Sequence, residues 1–287
     1  MPRLAAAVLV LALAAASTPA VAAAAAVTRY ERDFPTAGRP ALVLRADDAG
    51  VHVTTWDRPA VGIRVTTQGW TLGGRGVAVD ASQSGDRVLC EVREPHPVAS
   101  FTFGQRSTLV EVRVPREADL DLTTGDGSIT LAPLSGEVRA RTGDGTIEAD
   151  GLRGQITLTT GDGRIRASAL DGSLVARSGD GGITLEGRFD RLEVGTRDGR
   201  VTATADEGSR LAAEWSLESG DGSLTLRVPA TLRADLDLRT GDGGLTVDLP
   251  VETTGSLRRH VLFGRLNGGG PVLRMRSGDG SIRLEKR

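Results

Sequence analysis

Apolar and polar residues alternate along most of the chain, and the alternation comes in paired runs. Leu120, Leu122 and Thr124 sit two apart, then Gly125-Asp126-Gly127, then Ile129 and Leu131. The same pattern returns as Val138/Ala140/Thr142 with Ile147/Ala149, and as Ile156/Leu158/Thr160 with Ile165/Ala167. It returns again as Leu174/Ala176/Ser178 with Ile183/Leu185, and as Leu192/Val194/Thr196 with Val201/Ala203. Looser copies follow at Trp215/Leu217/Ser219, Leu236/Leu238/Thr240 and Leu273/Met275/Ser277. Period two means strands with one buried and one wet face. The residues between, such as Arg139, Arg141, Glu148, Thr157 and Arg166, are polar. No helical period appears after the first residues.

Asp126, Asp144, Asp162, Asp180 and Asp198 stand 18 residues apart, and Asp221, Asp242 and Asp279 follow at steps of 23, 21 and 37. A fixed period of this size marks a repeat architecture. Asp-Gly between alternating strands is also a hairpin signal, so an antiparallel β-meander or barrel is the alternative. A meander has no reason to keep a constant period. Stacked coils must have equal length, so the pattern predicts an all-β, single-stranded parallel β-helix (β-solenoid) with coils of about 18 residues. The second Gly of each turn (Gly127, Gly145, Gly163, Gly181, Gly199, Gly222, Gly243, Gly280) reads as a corner needing positive φ. The first Gly is replaced once, by Arg197, and Ser135-Gly136, Arg153-Gly154 and Asp171-Gly172 mark a second corner.

The expected organisation is a signal peptide over 1–26, irregular N-terminal coils with an insertion loop over 27–119, regular repeats over 120–205, and irregular coils with a cap over 206–287. Gly50 to Trp56 followed by Val61/Ile63/Val65 reads as a degenerate coil. There Val51, Val53 and Trp56 match Ile129, Leu131 and Leu134. Val77/Val79 and Val88/Cys90/Val92 continue it, and Glu94 to Ser107 is the insertion loop. Val251 to Pro271 is a surface loop or an end cover, because a stack must hide its terminal apolar faces.

Arg3, an apolar run from Leu4 to Ala16, Ser17-Thr18-Pro19 and an alanine tract form a secretory signal pattern. The rival is an uncleaved anchor, against which the break and the short apolar run speak. No Cys follows the run, so a lipoprotein anchor is excluded. The expected location is therefore the periplasm, cell surface or medium, with no membrane span after cleavage. The chain of 287 residues has 38 Gly and few aromatics, as tight corners and a narrow core require. Its net charge of −2 with signs mixed points away from nucleic acid. The lone Cys90 alternates with Val88 and Val92 and reads as a buried core thiol.

Asp126, Asp144, Asp162, Asp180 and Asp198 are the calcium candidates, since a parallel stack would align them about 4.8 Å apart. Calcium β-rolls carry Asp two residues before the apolar position, in two copies per 18-residue coil; here it stands three before, once per coil. Repulsion between neighbours in water is only about 0.9 kcal/mol, so no metal is forced. The bland role is hydrogen bonding to the corner's own N–H groups. The Thr/Ser ladder reads as structural, bonding to itself or to corner backbone. His52, His96 and His260 are scattered, and no nucleophile elbow, zinc cluster or phosphate loop occurs. No catalytic residue and no cofactor is assigned. A carbohydrate-active β-helix enzyme is the remaining catalytic alternative.

Gly50-Val51-His52-Val53 with Trp56-Asp57, the recurring Thr/Ser-Gly-Asp-Gly turns and Leu266-Asn267-Gly268-Gly269-Gly270-Pro271 together resemble a bacterial "putative adhesin" family of unknown function. The resemblance covers nearly all of the mature chain. It implies export and a right-handed β-helix-like fold, and supplies no catalytic residues. The function expected is a non-catalytic binding or scaffolding module of the cell envelope. Its partner would be an unidentified protein or polysaccharide, with end-to-end self-association of the stack as a further expectation; a calcium-stabilised module is the rival. If the leader is processed, intact-mass measurement of the exported protein gives an N-terminus created by cleavage after one of residues 22 to 26. An unprocessed mass overturns this.

Overall fold

The computed structural model describes residues 27–95, 106–253 and 260–287. The expected signal peptide, His96, most of the insertion loop, Arg258 and Arg259 lie outside them. The described residues contain strands and no helix. The first third gives β1 (Val27–Pro35), β2 (Ala41–Ala46), β3 (Gly50–Trp56), β4 (Ala60–Gln68), β5 (Ala78–Ser84), β6 (Arg87–Arg93) and β7 (Ser107–Pro115). The regular repeats give β8 (Asp119–Thr123), β9 (Ile129–Leu131), β10 (Ser135–Thr142), β11 (Ile147–Asp150), β12 (Arg153–Thr160), β13 (Ile165–Arg177), β14 (Ile183–Thr196) and β15 (Val201–Ala205). The last third gives β16 (Trp215–Ser219), β17 (Leu224–Val228), β18 (Ala234–Thr240), β19 (Leu245–Asp248), β20 (Val251–Thr253), β21 (Val261–Leu266), β22 (Val272–Ser277) and β23 (Ile282–Lys286).

The coils stack in parallel at the register of the repeat. Val138 pairs with Ile156, and Ile156 with Leu174. On the other side of the corner Ile129, Ile147, Ile165 and Ile183 pair in line. Two parallel ladders result, facing each other across the core. The strands of each coil before the Gly-Asp-Gly corner make the first, and those after it the second. β13 and β14 run through the second corner unbroken and join both. Inward side chains fill the space between: Ile147, Ile165 and Ile183 are at most 1% exposed. The fold is thus all-β and solenoid-like, partly parallel and partly antiparallel.

Stack order departs from chain order at both ends. β2 lies between β6 and β8, and β3 between β7 and β9. Likewise β22 lies between β16 and β18, and β23 between β17 and β19. Each terminal segment therefore forms a penultimate coil, covered by a coil from further inside the sequence. The 37-residue step from Asp242 to Asp279 has this cause.

The ends themselves are antiparallel, which corrects the reading of β4 as a coil strand. Val61, Ile63 and Val65 do point inward, but β4 runs antiparallel between β1 and β7. Only residues 57–59 separate β3 from β4, too few to cross to a parallel position. Trp56 accordingly does not take the inward site of Leu134. Its ring lies over Gly62 on the outer surface, where a Cβ would meet it at 2.7 Å. Val79 likewise belongs to a β5–β6 hairpin rather than to a further coil. At the far end β21 adds antiparallel to β18 and β20 antiparallel to β21, so part of the 251–271 segment covers the end of the first ladder.

The corner glycines are required for a different reason from the one expected. None of the eight second glycines has positive φ. A Cβ on Gly163 would instead fall on the carbonyl oxygen of Gly145, and one on Gly181 on that of Gly163. The backbones approach so closely at this corner that no side chain fits between them. Positive φ belongs to the second corner, at Gly154 (115°) and Gly172 (127°). Gly163→Ala is expected to lower stability by about 1–3 kcal/mol or more through overpacking. Gly195→Ala, where nothing lies within 4 Å of the added Cβ, should stay within about 0.5 kcal/mol of the parent. Urea unfolding of the two variants compares them, and equal losses overturn the steric reading.

Candidate functional site

The Gly-Asp-Gly corners form one long edge. Backbone N–H groups of successive corners bond outward to the next: Gly161 donates to Gly143 O, and Asp221 to Arg197 O. Beneath them runs the hydroxyl ladder. Thr160 Oγ1 donates to Gly145 O (3.0 Å) of the preceding coil and accepts from Gly163 N–H (3.1 Å) of its own. Thr142 does the same with Gly127 O (2.8 Å) and Gly145 N–H (3.2 Å). The ladder passes through Ser178, Thr196, Ser219 and Ser277 to Thr240, whose Oγ1 reaches Gly280 O at 2.8 Å. The hydroxyls bond to corner backbone rather than to one another. Each closes its own corner and clips it to the neighbouring one.

The structure brings the five predicted aspartates together on this edge, in order. They are joined by Asp221, Asp279 and Asp242, and by Asp48, which the sequence reading missed. Asp48 Oδ1 accepts from Asp126 N–H at 3.2 Å. Its signal was present: Asp48 stands three residues before Val51, as Asp126 stands before Ile129. The expected bond from aspartate to its own corner N–H is replaced by the hydroxyl. The Asp162 carboxylate instead lies over the first glycine of the next corner, 2.9 Å from a Cβ built on Gly179. Arg197 stands where the next first glycine would be, and its Nη1 pairs with Asp180 at 3.3 Å. Among the described residues no group of three or more His, Cys, Asp or Glu is placed to hold a metal ion.

The broad surfaces are the two outer sheet faces, and their rows follow the register. On the first, Arg139, Thr157, Val175, Glu193, Ser216, Arg274 and Asp237 stand in line. On the second, Thr130, Glu148, Arg166, Thr184, Thr202 and Thr225 do. Cross-coil ion pairs tie the rows, as Arg166 with Glu148 (3.7 Å) and Arg177 with Glu193. Each such exposed pair contributes about 0–1 kcal/mol, so the rows serve presentation more than stability.

Four groups have displaced pKa values, Arg64 among them, raised chiefly by its hydrogen bond to Glu31. The side-chain hydrogen bond from Arg64, then that from Arg29, holds Glu31 on the N-terminal cap down at about 2. Burial, then the Asp80 charge, pushes the Cys90 thiol up to about 12, so it stays protonated in the core. Burial would push Asp237 up, but Arg239, Arg276 and Arg274 outweigh it and hold the carboxyl below the usual range. His52 is exposed, and His260 Nδ1 lies 3.0 Å from Gly243 O at the last corner.

Comparison with known proteins matches the family model Toastrack DUF4097 to residues 90–285. No curated protein matches the chain. The crystal structure of a "putative lipid binding protein" from Parabacteroides distasonis superposes with a TM-score of 0.51 at 14% identity, covering 89% of this chain and 96% of that one. It shares the fold. A "putative adhesin" from Bacteroides fragilis aligns at a TM-score of 0.35 and 9% identity, over 91% of this chain and 97% of that one. No helix of the described residues is long and apolar enough to cross a membrane.

Thr160→Val keeps the shape and removes the clip. It leaves Gly145 O and Gly163 N–H short of a partner, and stability is expected to fall by about 1–3 kcal/mol. Denaturant unfolding measures it, and an unchanged midpoint overturns the clip.

Proposed function

The chain belongs to the Toastrack DUF4097 family, and we propose that it is an exported, non-catalytic β-solenoid that binds or scaffolds a component of the bacterial cell envelope. The observation that carries this reading is the constancy of the outward rows. The same positions of every coil face solvent in the same register, so the molecule offers two extended polar faces of fixed geometry. Such a face suits a ligand that itself repeats, which a surface polysaccharide or a fibrous protein does. The coils are taken to wind to the right, the hand that parallel strand-to-strand crossovers adopt. Export follows from the signal pattern, and the absence of catalytic assignment from the residue types available in the sequence.

The aspartate edge has a structural role in this proposal. First glycines, hydroxyls and cross-coil N–H bonds hold the corners without an ion. The expected result is a melting temperature that is the same in calcium and in chelator, because a bound ion would raise it by mass action. A chelator-dependent fall supports the calcium-stabilised alternative. For binding, the full exported chain is expected to sediment with isolated envelope fragments of its source bacterium. A chain that stays in the supernatant overturns the envelope reading. Release of reducing ends from those fragments overturns the non-catalytic one.

A further inference from the structure

The first outer face changes character where the antiparallel β21 is added. Over the regular coils, Thr157 and Thr159 stand beside Arg139 and Arg141 and keep like charges apart. At the last coils Arg276 and Arg239 become direct cross-strand partners, a like-charge pair that destabilises a sheet unless compensated. Asp237 stands beside both, and Glu218 lies across from Arg276 on its other side. Asp237 lies 2.7 Å from Arg239 Nε, 3.5 Å from Arg276 Nη2 and 3.5 Å from Arg274 Nε. Arg274 also pairs with Glu214, and Arg265 reaches Asp235 at 4.0 Å. Four guanidiniums thus stand among four carboxylates, with the two arginines of the Arg239–Arg276 pair directly side by side. Arg276 keeps 46% of its side chain exposed, and Arg274 Nε is buried without a hydrogen bond.

A groove of about 300 Å³ lies beside these groups, lined by Asp235, Asp237, Phe263, Arg265 and Arg274. Because β21 runs antiparallel, Phe263 stands directly across from Asp237. Arg239 lies over its ring at 5.0 Å, yet the residue remains 44% exposed. An apolar ring edge thus borders guanidinium forks and carboxylate acceptors. Forks take a carboxylate in two-point fashion. The ring takes the C–H face of a sugar, and Asp235 and Asp237 accept from its hydroxyls. A phosphate or sulfate dianion would use the arginines alone and would be repelled by both aspartates.

We propose that this groove binds a carboxylated sugar, a uronate unit of an acidic polysaccharide, with its carboxylate between Arg276 and Arg274 and its ring against Phe263. The proposal rests on the reading of the chain as an envelope-binding module and gives that module a ligand class. Calorimetric titration of the full exported chain with trigalacturonate tests it, with maltotriose and inorganic sulfate as controls. Saturable trigalacturonate binding is expected, with maltotriose at least about tenfold weaker and sulfate unable to compete at equal concentration. Arg276→Gln and Phe263→Ser, both at exposed side chains, should each weaken it about tenfold with an unchanged melting temperature. Arg139→Gln, on the same face but far from the groove, should leave it unchanged. Absent trigalacturonate binding, sulfate binding of equal strength, or an equal loss in Arg139→Gln overturns the proposal. If the chain sediments with envelope fragments but ignores trigalacturonate, the groove assignment falls and the envelope reading stands.

Discussion

The whole stack depends on how closely the backbones of successive coils approach at the Gly-Asp-Gly corner. A Cβ at the second glycine would coincide with the carbonyl oxygen of the coil before it. With that atom absent, each corner nests on its neighbour, and the Thr or Ser hydroxyl fits beneath both. The parallel register of the flanking strands is then set at one edge and carried across the sheets. A slip of one residue would turn every core side chain outward, so the corner fixes register where flat repeating strands alone would fix it weakly. Ala49 shows the limit of the rule. It takes the second-glycine place in its corner, and the coil beyond it is joined by residues 94–106 rather than by a Gly-Asp-Gly turn.

A stack of this kind must end, and its open ends are the hazard. Unpaired strand edges recruit further chains. Here β1 lies outermost on β4, but the coil strands nearest the two ends of the chain do not lie at the ends of the stack. β2 and β3 at one end, and β22 and β23 at the other, are each held between two coils. Fraying therefore requires an outer coil to leave first. Beyond the outermost coils the pairing turns antiparallel, through β5, β4 and then β1 at one end and through β21 and then β20 at the other. The strand β21 also sets Phe263 across from Asp237, beside a groove lined by Arg265 and Arg274.

Structural and presented surfaces are thus separate. The corner edge is closed by its own hydrogen bonds, and its aspartates sit over neighbouring glycines. The sheet faces carry side chains that differ from coil to coil at the same register position, as Arg139, Thr157, Val175 and Glu193 do. Function on such a fold lives in the side chains it displays.

By itself the sequence determined the strand alternation, the 18-residue register, the inward isoleucines and the alignment of the five regular aspartates. These are local and periodic, and a period of two within a period of 18 leaves one way to bury the apolar positions. It placed the glycines correctly and misjudged their cause, because close approach of two backbones is a property of the pair of coils and not of either. Asp48 was hidden only by the loss of its glycines. The order of stacking, the antiparallel ends, the outward Trp56 and the meeting of Asp237 with Arg239, Arg274 and Arg276 were decided by the tertiary structure. Each joins segments far apart in the chain, and strands with the same alternation pair equally well in either direction until the connections and the neighbouring coil exclude one of them.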